Sequence, residues 1–252
     1  MGNDKRLRLL TYNMHKGFCF YSRRQVLEEI KRAIREVNAD LVFLQEIRGE
    51  SSVLNQNGVV NGEFASQLEF LADSVWDHYA YGKNAIYQTT NHGNAILSRF
   101  PVKKWSNIDI STNPFERRGL LHSTVLHPEC GELDLICLHL NLLARGRRWQ
   151  LERLVGKLAA EVESGPIIIA GDFNDWSQAV SGQIGGDLKV KEAHHSLHGR
   201  YARTFPSLMP LLCLDRVYYR DLTPTLSQVL SGRPWSQMSD HAPLLVEFAL
   251  NP

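Results

Sequence analysis

The chain has 252 residues, of which 43% are hydrophobic, and its 28 basic and 27 acidic residues give a formal net charge of +1. This length suits one domain over residues 1–252, and the near-zero charge excludes a global field that would draw the chain to nucleic acid or an anionic membrane. The four cysteines fall in no metal-ligand or CxxC spacing, and no apolar run resembles an export signal or could span a bilayer. We therefore predict a cytoplasmic monomer without a transmembrane segment, whose affinity for phosphate comes from a local patch.

The first half of the chain mixes apolar runs typical of buried strands with helical periodicity. Its predicted elements are, in order, a strand at 7–13, an amphipathic helix at 23–38, a strand at 40–46, a loop at 49–62, a helix at 64–76, and short strands at 79–87, 94–98 and 105–110.

The second half continues with a hairpin and a basic turn that leads into a helix. Its predicted elements are strands at 120–126 and 133–140, a helix ending near 163, a buried strand opened by Pro166, a weakly patterned stretch to about Arg203, and strands at 213–219, 225–230 and 243–250. Hairpin spacing mixed with strand–helix–strand units predicts an α+β fold in which helices cover mixed sheets.

Polar side chains stand where predicted strands end or begin. After the strand opened by Pro166, Gly171 permits a tight turn, and the side chains of Asp172 and Asn174, two residues apart, can project to one side. Each such group also has an ordinary structural explanation, such as a turn, a cap or a buried ion pair. A compact fold that gathers strand ends would bring them into one cleft. The groups are Asn13, Glu46, His139, Asp172 with Asn174, Asp215, and Asp240 with His241.

These residues belong to short motifs that occur in a fixed order along the chain. The motifs are LTYNMH (10–15), LQE (44–46), GNAILSR (93–99), HLN (139–141), GDFN (171–174), LDRV (214–217) and SDHAPL (239–244). The ordered set resembles the endonuclease/exonuclease/phosphatase superfamily, the DNase I-like group, and within it the small bacterial members of YbhP type. The resemblance implies a four-layer α/β sandwich, with two mixed sheets face to face and helices on both outer faces.

The resemblance also implies site roles. Glu46 would be the principal carboxylate for Mg²⁺, with Asn13 and Asp240 nearby and Mn²⁺ as a substitute. Asp172 would orient or deprotonate the attacking water, and Asn174 would hold that water or a phosphate oxygen. The sequence leaves open whether Asp172 or His241 is the base and whether one or two metal ions bind. His241, held by Asp215, would stabilise charge on the phosphate, and His139 would stabilise or protonate the leaving oxygen. Further residues expected at the substrate are His15, Asn94, Arg118, Asn141 and Arg145.

The substrate stays open between several classes. The leading prediction is a Mg²⁺-dependent phosphodiesterase, with nucleic acid slightly ahead because arginines such as Arg118 and Arg145 alternate with aromatic residues. The alternatives are a phosphatase, a phosphodiesterase for phospholipid or a small molecule, and a non-catalytic phosphate-binding scaffold. We predict no exposed apolar hairpin of the kind that docks secreted sphingomyelinases on membranes. Other residues expected to line the cleft are Lys16, Phe18, Phe20, Tyr21, Phe115, Arg117, Arg147, Arg148, Trp149, Trp176 and Trp235.

Overall fold

The computed structural model describes residues 6–15, 23–48, 67–72, 75–86, 91–113, 116–162 and 164–250. Several predicted features lie outside these residues: the loop at 49–62, Lys16, and the aromatic residues Phe18, Phe20, Tyr21 and Phe115.

Twelve β-strands and five α-helices lie within the described residues. The strands are β1 (Arg6–Asn13), β2 (Leu41–Arg48), β3 (His78–Ile86), β4 (Asn91–Ser98), β5 (Val102–Asp109), β6 (Gly119–His127), β7 (Gly131–His139), β8 (Ile167–Asp172), β9 (Lys191–Glu192), β10 (Asp215–Arg220), β11 (Thr223–Val229) and β12 (Leu244–Ala249). The helices are α1 (Arg23–Val37), α2 (Gln67–Ala72), α3 (Ala144–Glu161), α4 (Ala179–Leu188) and α5 (Ala193–His198).

The strands form two mixed six-stranded sheets. Their orders are β11-β12-β1-β2-β4-β3 and β5-β6-β7-β8-β10-β9. Each sheet contains a parallel pair, β1 with β2 and β7 with β8, among antiparallel neighbours. The predicted fold class is therefore confirmed.

The hydrophobic core lies in three layers because both faces of the central strands are covered. In β8, Ile168 and Ala170 face the other sheet in a shared cluster with Leu9 and Phe43. The alternate residues of β8 pack under α3 and α4, and a third cluster joins α1 and α2 to the first sheet. Burial on both faces explains why these strands read as continuous apolar runs in the sequence.

Strand pairing brings the polar strand ends together. In the parallel pair β7–β8, His139 stands opposite Asp172, and in the antiparallel pair β8–β10, Asp215 stands opposite the same residue. In the first sheet, the pairing of β2 with β4 shifts register between Leu44 and Ile47. Glu46 lies in this bulge with a φ of 58°, and a bulge turns a side chain away from the normal alternation.

Gly171 lets β7 and β8 approach closely just before the polar end of β8. Its φ is +142°, and a Cβ at this position would lie 2.0 Å from the carbonyl oxygen of Leu138. That distance is far inside van der Waals contact, and the φ is one that residues with side chains rarely adopt. Position 171 therefore requires glycine.

The weakly patterned stretch before Arg203 contains more structure than the sequence indicated. It holds α4, β9 and α5. Helix α4 contains three glycines, which are poor helix formers. Its buried residues, Val180, Ile184 and Leu188, nevertheless recur at every fourth position, and they fix the helix by packing on the second sheet.

Candidate active site

Asp172 is the residue on which the polar strand ends converge. Its Oδ2 accepts a 2.9 Å hydrogen bond from Asn13 Nδ2 and lies 3.3 Å from His139 Nε2 and 3.7 Å from His241 Nε2. Its Oδ1 accepts a 2.9 Å bond from the backbone N–H of Asn174. The residue is only 1% exposed. Four predicted site residues therefore contact one buried carboxylate.

Asn174 is held by the turn that follows β8. Its φ is 49°, a left-handed conformation that asparagine tolerates. Its amide Nδ2 donates a 2.9 Å hydrogen bond to the carbonyl oxygen of Leu140. The amide oxygen is thereby left as the atom that can accept a hydrogen bond from water or a substrate.

His241 is fixed by a carboxylate on the neighbouring strand. Its Nδ1 lies 2.8 Å from Asp215 Oδ2, and that oxygen also accepts a 2.6 Å hydrogen bond from the hydroxyl of Thr204. The ring of Phe205 lies 5.0 Å from the imidazole ring. These contacts fix the orientation of the ring and turn Nε2 toward Asp172.

The pKa of His241 favours an imidazolium ion. Burial alone would lower this pKa, but the carboxylates of Asp215 and Asp172 outweigh burial and raise it to about 10. The ligand atoms of these three residues lie within 4.8 Å of one another, a spacing that could hold a metal ion. A protonated imidazole has no lone pair for a cation, so we interpret the group as a hydrogen-bonded acid–imidazole pair beside a second carboxylate.

The pKa of Asp172 is raised from its ordinary value to about 6. Burial is the largest cause of the increase. The charge of His241 opposes burial in part, and the charge of Asp215 raises the pKa further. Hydrogen bonds from Asn174 and Asn13 favour the ionised form. The carboxylate is therefore ionised at neutral pH, yet it is more basic than a solvated aspartate.

Glu46 offers oxygen atoms that suit a hard cation. Its Oε1 lies 3.9 Å from His139 Nδ1. Its Oε2 is buried and has no hydrogen-bond partner among the described residues. A buried acceptor without a partner is unusual, and a carboxylate oxygen in this state is a ligand of the kind that Mg²⁺ prefers.

Asn13 and Asp240 are linked to the same cluster through His15. Asn13 Oδ1 accepts a 3.0 Å bond from the backbone N–H of His15, and His15 Nδ1 lies 3.2 Å from Asp240 Oδ2. The hydroxyl of Ser239 donates a 2.7 Å bond to the carbonyl oxygen of Asn13. The oxygen atoms of Glu46 and Asn13 fit a divalent cation. Asp240 Oδ2 is in contact with the imidazole of His15, so a cation that binds this oxygen competes with that contact.

His139 lies between the two carboxylates and a guanidinium group. Besides its contacts with Asp172 and Glu46, its Nδ1 lies 3.3 Å from Arg118 Nη1. Arg118 in turn donates a 3.0 Å hydrogen bond to Glu116 Oε1. Two of the predicted site residues, His139 and Arg118, therefore contact each other within the cluster.

The remaining predicted substrate residues lie farther from Asp172. Asn94 is 1% exposed, and its Nδ2 donates a 2.9 Å bond across the sandwich to the carbonyl oxygen of Gly119. Asn141 is 2% exposed and bonds to Thr112 and Gln150, which fixes the start of α3. Arg145 is exposed and lines a pocket of about 520 Å³ next to Asn141. Their roles at the substrate stay predictions.

Sequence reasoning missed two residues that support the site. Thr204 binds Asp215, as described above, but lies eleven residues before it in a stretch without periodicity. Ser239 accepts a 3.2 Å bond from the backbone N–H of His241 while it binds Asn13. The serine stands inside the SDH motif, so its signal was present, whereas no local pattern marks the threonine.

The described residues contain no helix that is both long and apolar enough to cross a membrane. The predicted cytoplasmic location and the monomeric state stay predictions.

Comparisons with known proteins agree with the motifs. A sequence model of the Endonuclease/Exonuclease/phosphatase family matches residues 10–241. The protein described as uncharacterized protein YbhP from Escherichia coli (strain K12) is 40% identical over 244 residues, which cover 96% of each chain. The resemblance predicted from the motifs is thus confirmed.

Solved structures share the fold at much lower identity. The human Nocturnin catalytic domain with bound sulfate anion has a TM-score of 0.74 at 15% identity, over 98% of this chain and 95% of that chain. D. rerio TDP2 complexed with single strand DNA product has a TM-score of 0.72 at 17% identity, over 97% and 99% of the two chains. These likenesses confirm the four-layer architecture.

Proposed function

Because the chain belongs to the endonuclease/exonuclease/phosphatase family, we propose that its cleft hydrolyses phosphodiester bonds by in-line attack of water, with Mg²⁺ as the cofactor and Mn²⁺ as a substitute. The observation that carries this proposal is the contact of one buried carboxylate, Asp172, with Asn13, His139 and His241. Attack at phosphorus builds negative charge on the oxygens around it, and such charge is stabilised by fixed cations and hydrogen-bond donors.

Asp172 is the group that acts on water. Burial is the main cause that raises the pKa of the Asp172 carboxyl to about 6. A base whose pKa lies slightly below the working pH is largely ionised and still accepts a proton readily. The amide oxygen of Asn174 orients the same water from the turn that follows β8.

Three side chains supply hydrogen-bond donors to the phosphate: His241, His139 and Arg118. His241 is held as imidazolium by Asp215 and stabilises charge on a non-bridging oxygen. His139, whose Nδ1 lies 3.3 Å from Arg118 Nη1, stabilises the leaving oxygen together with that arginine, and the leaving oxygen takes its proton from His139 Nε2. The Nε2 atoms of both histidines lie within 3.7 Å of Asp172 Oδ2, so that both imidazoles adjoin the group that acts on water.

Glu46 is the main residue that would hold the metal ion, with Asn13 and Asp240 beside it. The support for this is its buried and unpartnered Oε2. When bound, a divalent cation polarises a phosphate oxygen and neutralises developing charge. His15 bonds to Asp240 and so tunes how readily Asp240 contributes to the metal site.

A non-catalytic phosphate-binding scaffold is a poorer match for this cleft. Asp172 is a buried carboxylate at its centre, which suits a group that takes a proton from water and not one that only binds a phosphate anion. Among substrates, the sequence slightly favours nucleic acid, and the single strand DNA product bound to the structurally similar TDP2 supports the same choice. The exposed apolar residues at the rim of this cleft instead favour a phosphodiester carried by a lipid.

The proposal is tested with a soluble diester and a matched monoester. Purified protein should hydrolyse bis-p-nitrophenyl phosphate only when Mg²⁺ or Mn²⁺ is added, should lose this activity in EDTA, and should hydrolyse p-nitrophenyl phosphate more slowly. Diester turnover that survives EDTA would disprove the metal dependence. Faster turnover of the monoester would make the protein a phosphatase, and no turnover of either ester would favour the scaffold.

The pH dependence of diester turnover should show two limbs. Below about pH 6, kcat/KM should fall about tenfold per pH unit because Asp172 becomes protonated. Near pH 10 it should fall again because His241 loses its proton. The measurement is kcat/KM with saturating Mg²⁺ over a range that brackets both pKa values. A profile that stays flat through pH 6 would show that Asp172 is not the titrating base.

A further inference from the structure

Large apolar side chains are unevenly distributed over the described surface. Twelve of them are exposed, and eight lie on segments that leave the candidate active site. We call residues 205–212 the finger, and Leu142, Leu143, Trp149 and Trp176 the shelf. Exposed apolar patches of this kind mark interaction sites more often than scattered single residues do.

The finger presents four exposed apolar side chains beside His241. Leu208 is 81% exposed and Met209 is 64% exposed, and Leu211 and Leu212 follow them. The finger is closed by backbone hydrogen bonds from Leu211 and Leu212 to the carbonyl oxygen of Phe205, each 2.8 Å long. The sequence prediction that the chain lacks an exposed apolar hairpin is therefore wrong, because this apolar run is not buried in the core.

The base of the finger is attached to the site. The backbone N–H of Ser207 donates a 2.7 Å bond to the carbonyl oxygen of Asp240. Phe205 packs on the ring of His241, and Thr204 bonds to Asp215. The exposed tip is thus held in a fixed place next to the reacting groups.

The shelf residues follow two of the motifs that carry site residues. Leu142 and Leu143 come directly after the HLN motif and are 52% and 73% exposed, and Trp149 follows in α3. Trp176, two residues after Asn174, is 52% exposed, and the guanidinium of Arg147 lies 5.1 Å from its ring. Exposed apolar side chains therefore adjoin the His241 segment through the finger and the His139 and Asn174 segments through the shelf.

The chain segments that carry most of these apolar residues are basic, and Glu116, which accepts a 3.1 Å bond from the backbone N–H of Leu142, is the acid beside the shelf. Residues 139–151 and 193–214 contain no aspartate or glutamate. Arg145 and Arg148 of the shelf region and Arg200 and Arg203 before the finger are exposed, and none makes an ion pair with a described residue. Since the whole chain carries a charge of only +1, this basic character is local and complements an anionic surface.

We propose that finger and shelf dock the cleft onto an anionic phospholipid bilayer, so that the phosphodiester it hydrolyses is carried by a lipid. Exposed leucine and methionine with adjacent arginines match a bilayer, in which apolar groups enter the acyl region and arginines meet phosphates. Nucleic-acid bases stack on aromatic side chains, and leucine and methionine offer no aromatic face for such stacking. The substrate part rests on the proposed function: water adds to phosphorus, one ester P–O bond breaks, and the released alcohol oxygen takes a proton.

The pocket next to Asn141 gives room for a lipid headgroup. It measures about 520 Å³ and is lined by Leu143 and Trp149 of the shelf together with Arg145 and Glu116. Glu116 is the partner of Arg118, which adjoins His139. The pocket is therefore connected to the leaving-group side of the site.

The test uses the full chain and two vesicle types, phosphatidylcholine alone and phosphatidylcholine mixed with phosphatidylglycerol. In co-sedimentation, wild-type protein should bind the mixed vesicles and bind the neutral ones weakly. The double variant Leu208→Ser/Met209→Ser should bind the mixed vesicles at least about tenfold more weakly, since it removes apolar groups that would enter the bilayer. Trp105→Ser, which changes an exposed residue on edge strand β5, is the matched control and should bind like wild type.

Activity measurements separate docking from chemistry. The double variant should lose hydrolysis of vesicle lipid but keep wild-type turnover of bis-p-nitrophenyl phosphate. Arg145→Gln/Arg148→Gln should abolish the preference for the mixed vesicles.

Three results would overturn the docking proposal: no vesicle binding by wild type, equal binding by the Leu208→Ser/Met209→Ser variant, or a dimer in analytical ultracentrifugation that this variant abolishes. If wild type binds vesicles but hydrolyses no diester, the proposed function fails and the docking surface stands. If it hydrolyses the soluble diester and single-stranded DNA but binds no vesicle, docking alone fails.

Discussion

Asp172→Asn is expected to lower kcat for a soluble diester by about 10³-fold or more, within or above the range for loss of a general base. Asparagine has the same shape and can still accept the hydrogen bond from the backbone N–H of Asn174. It cannot accept a proton from water, and it removes the negative charge that His139 and His241 face. The measurement is turnover of bis-p-nitrophenyl phosphate with saturating Mg²⁺.

The same change should not destabilise the fold. The pKa of Asp172 rises from 3.8 to about 6 on folding, so its ionisation disfavours the folded state as pH rises from 3.8 through 6, and the full cost is present above pH 6. At pH 8 the relief of this cost opposes the loss of the acceptor for Asn13 Nδ2, so the asparagine variant should unfold in urea with a free energy close to that of wild type. Asp187→Asn, at an exposed position of α4, is the matched control and should change neither quantity. An inactive variant that is also less stable would point to a structural role for Asp172.

Glu46→Gln is expected to weaken Mn²⁺ binding by roughly 100-fold, the upper end of the range for groups that only support a metal ligand. Turnover at low metal concentration should fall in proportion and recover in part at high concentration. The reason is that Glu46 supplies a buried oxygen without a hydrogen-bond partner, and an amide oxygen is a weaker ligand for a hard cation than a carboxylate. Binding is measured by isothermal titration calorimetry, and turnover by a metal titration.

Glu28→Gln in α1, an exposed position, is the matched control and should bind Mn²⁺ like wild type. Unchanged affinity in Glu46→Gln would mean that the main metal carboxylate lies elsewhere. In that case Asp240→Asn would be the next variant to compare. Asp240 is the other carboxylate predicted at the metal, and its Oδ2 lies 3.2 Å from His15 Nδ1.

The central strands were predictable because their side chains are buried on both faces. The run at Ile167–Asp172 is apolar up to Gly171 for this reason, and it is recognised without knowledge of its neighbours. Helix α4 was not predicted because its glycines weaken the local signal, while its stability comes from packing on the second sheet. The local sequence therefore shows which elements are buried, but it does not show which other elements they pack against.

The same distinction applies to the site. Asp172, His139 and His241 stand in recognisable motifs, and the structure brings them within hydrogen-bonding or ion-pair distance. The Arg118–His139 contact depends on how the loop before β6 meets the end of β7, which no local pattern encodes. The finger was missed because a short run of leucine, methionine and proline reads as core until the fold shows that nothing covers it.

Gly171 determines where this molecule can change during evolution. Because any side chain there would collide with the carbonyl oxygen of Leu138, the approach of β7 to β8 leaves position 171 no freedom to change. The shelf and the finger project from the ends of such strands and carry exposed side chains. New specificities in this lineage would therefore arise in these loops, while the strands that hold His139 and Asp172 keep their geometry.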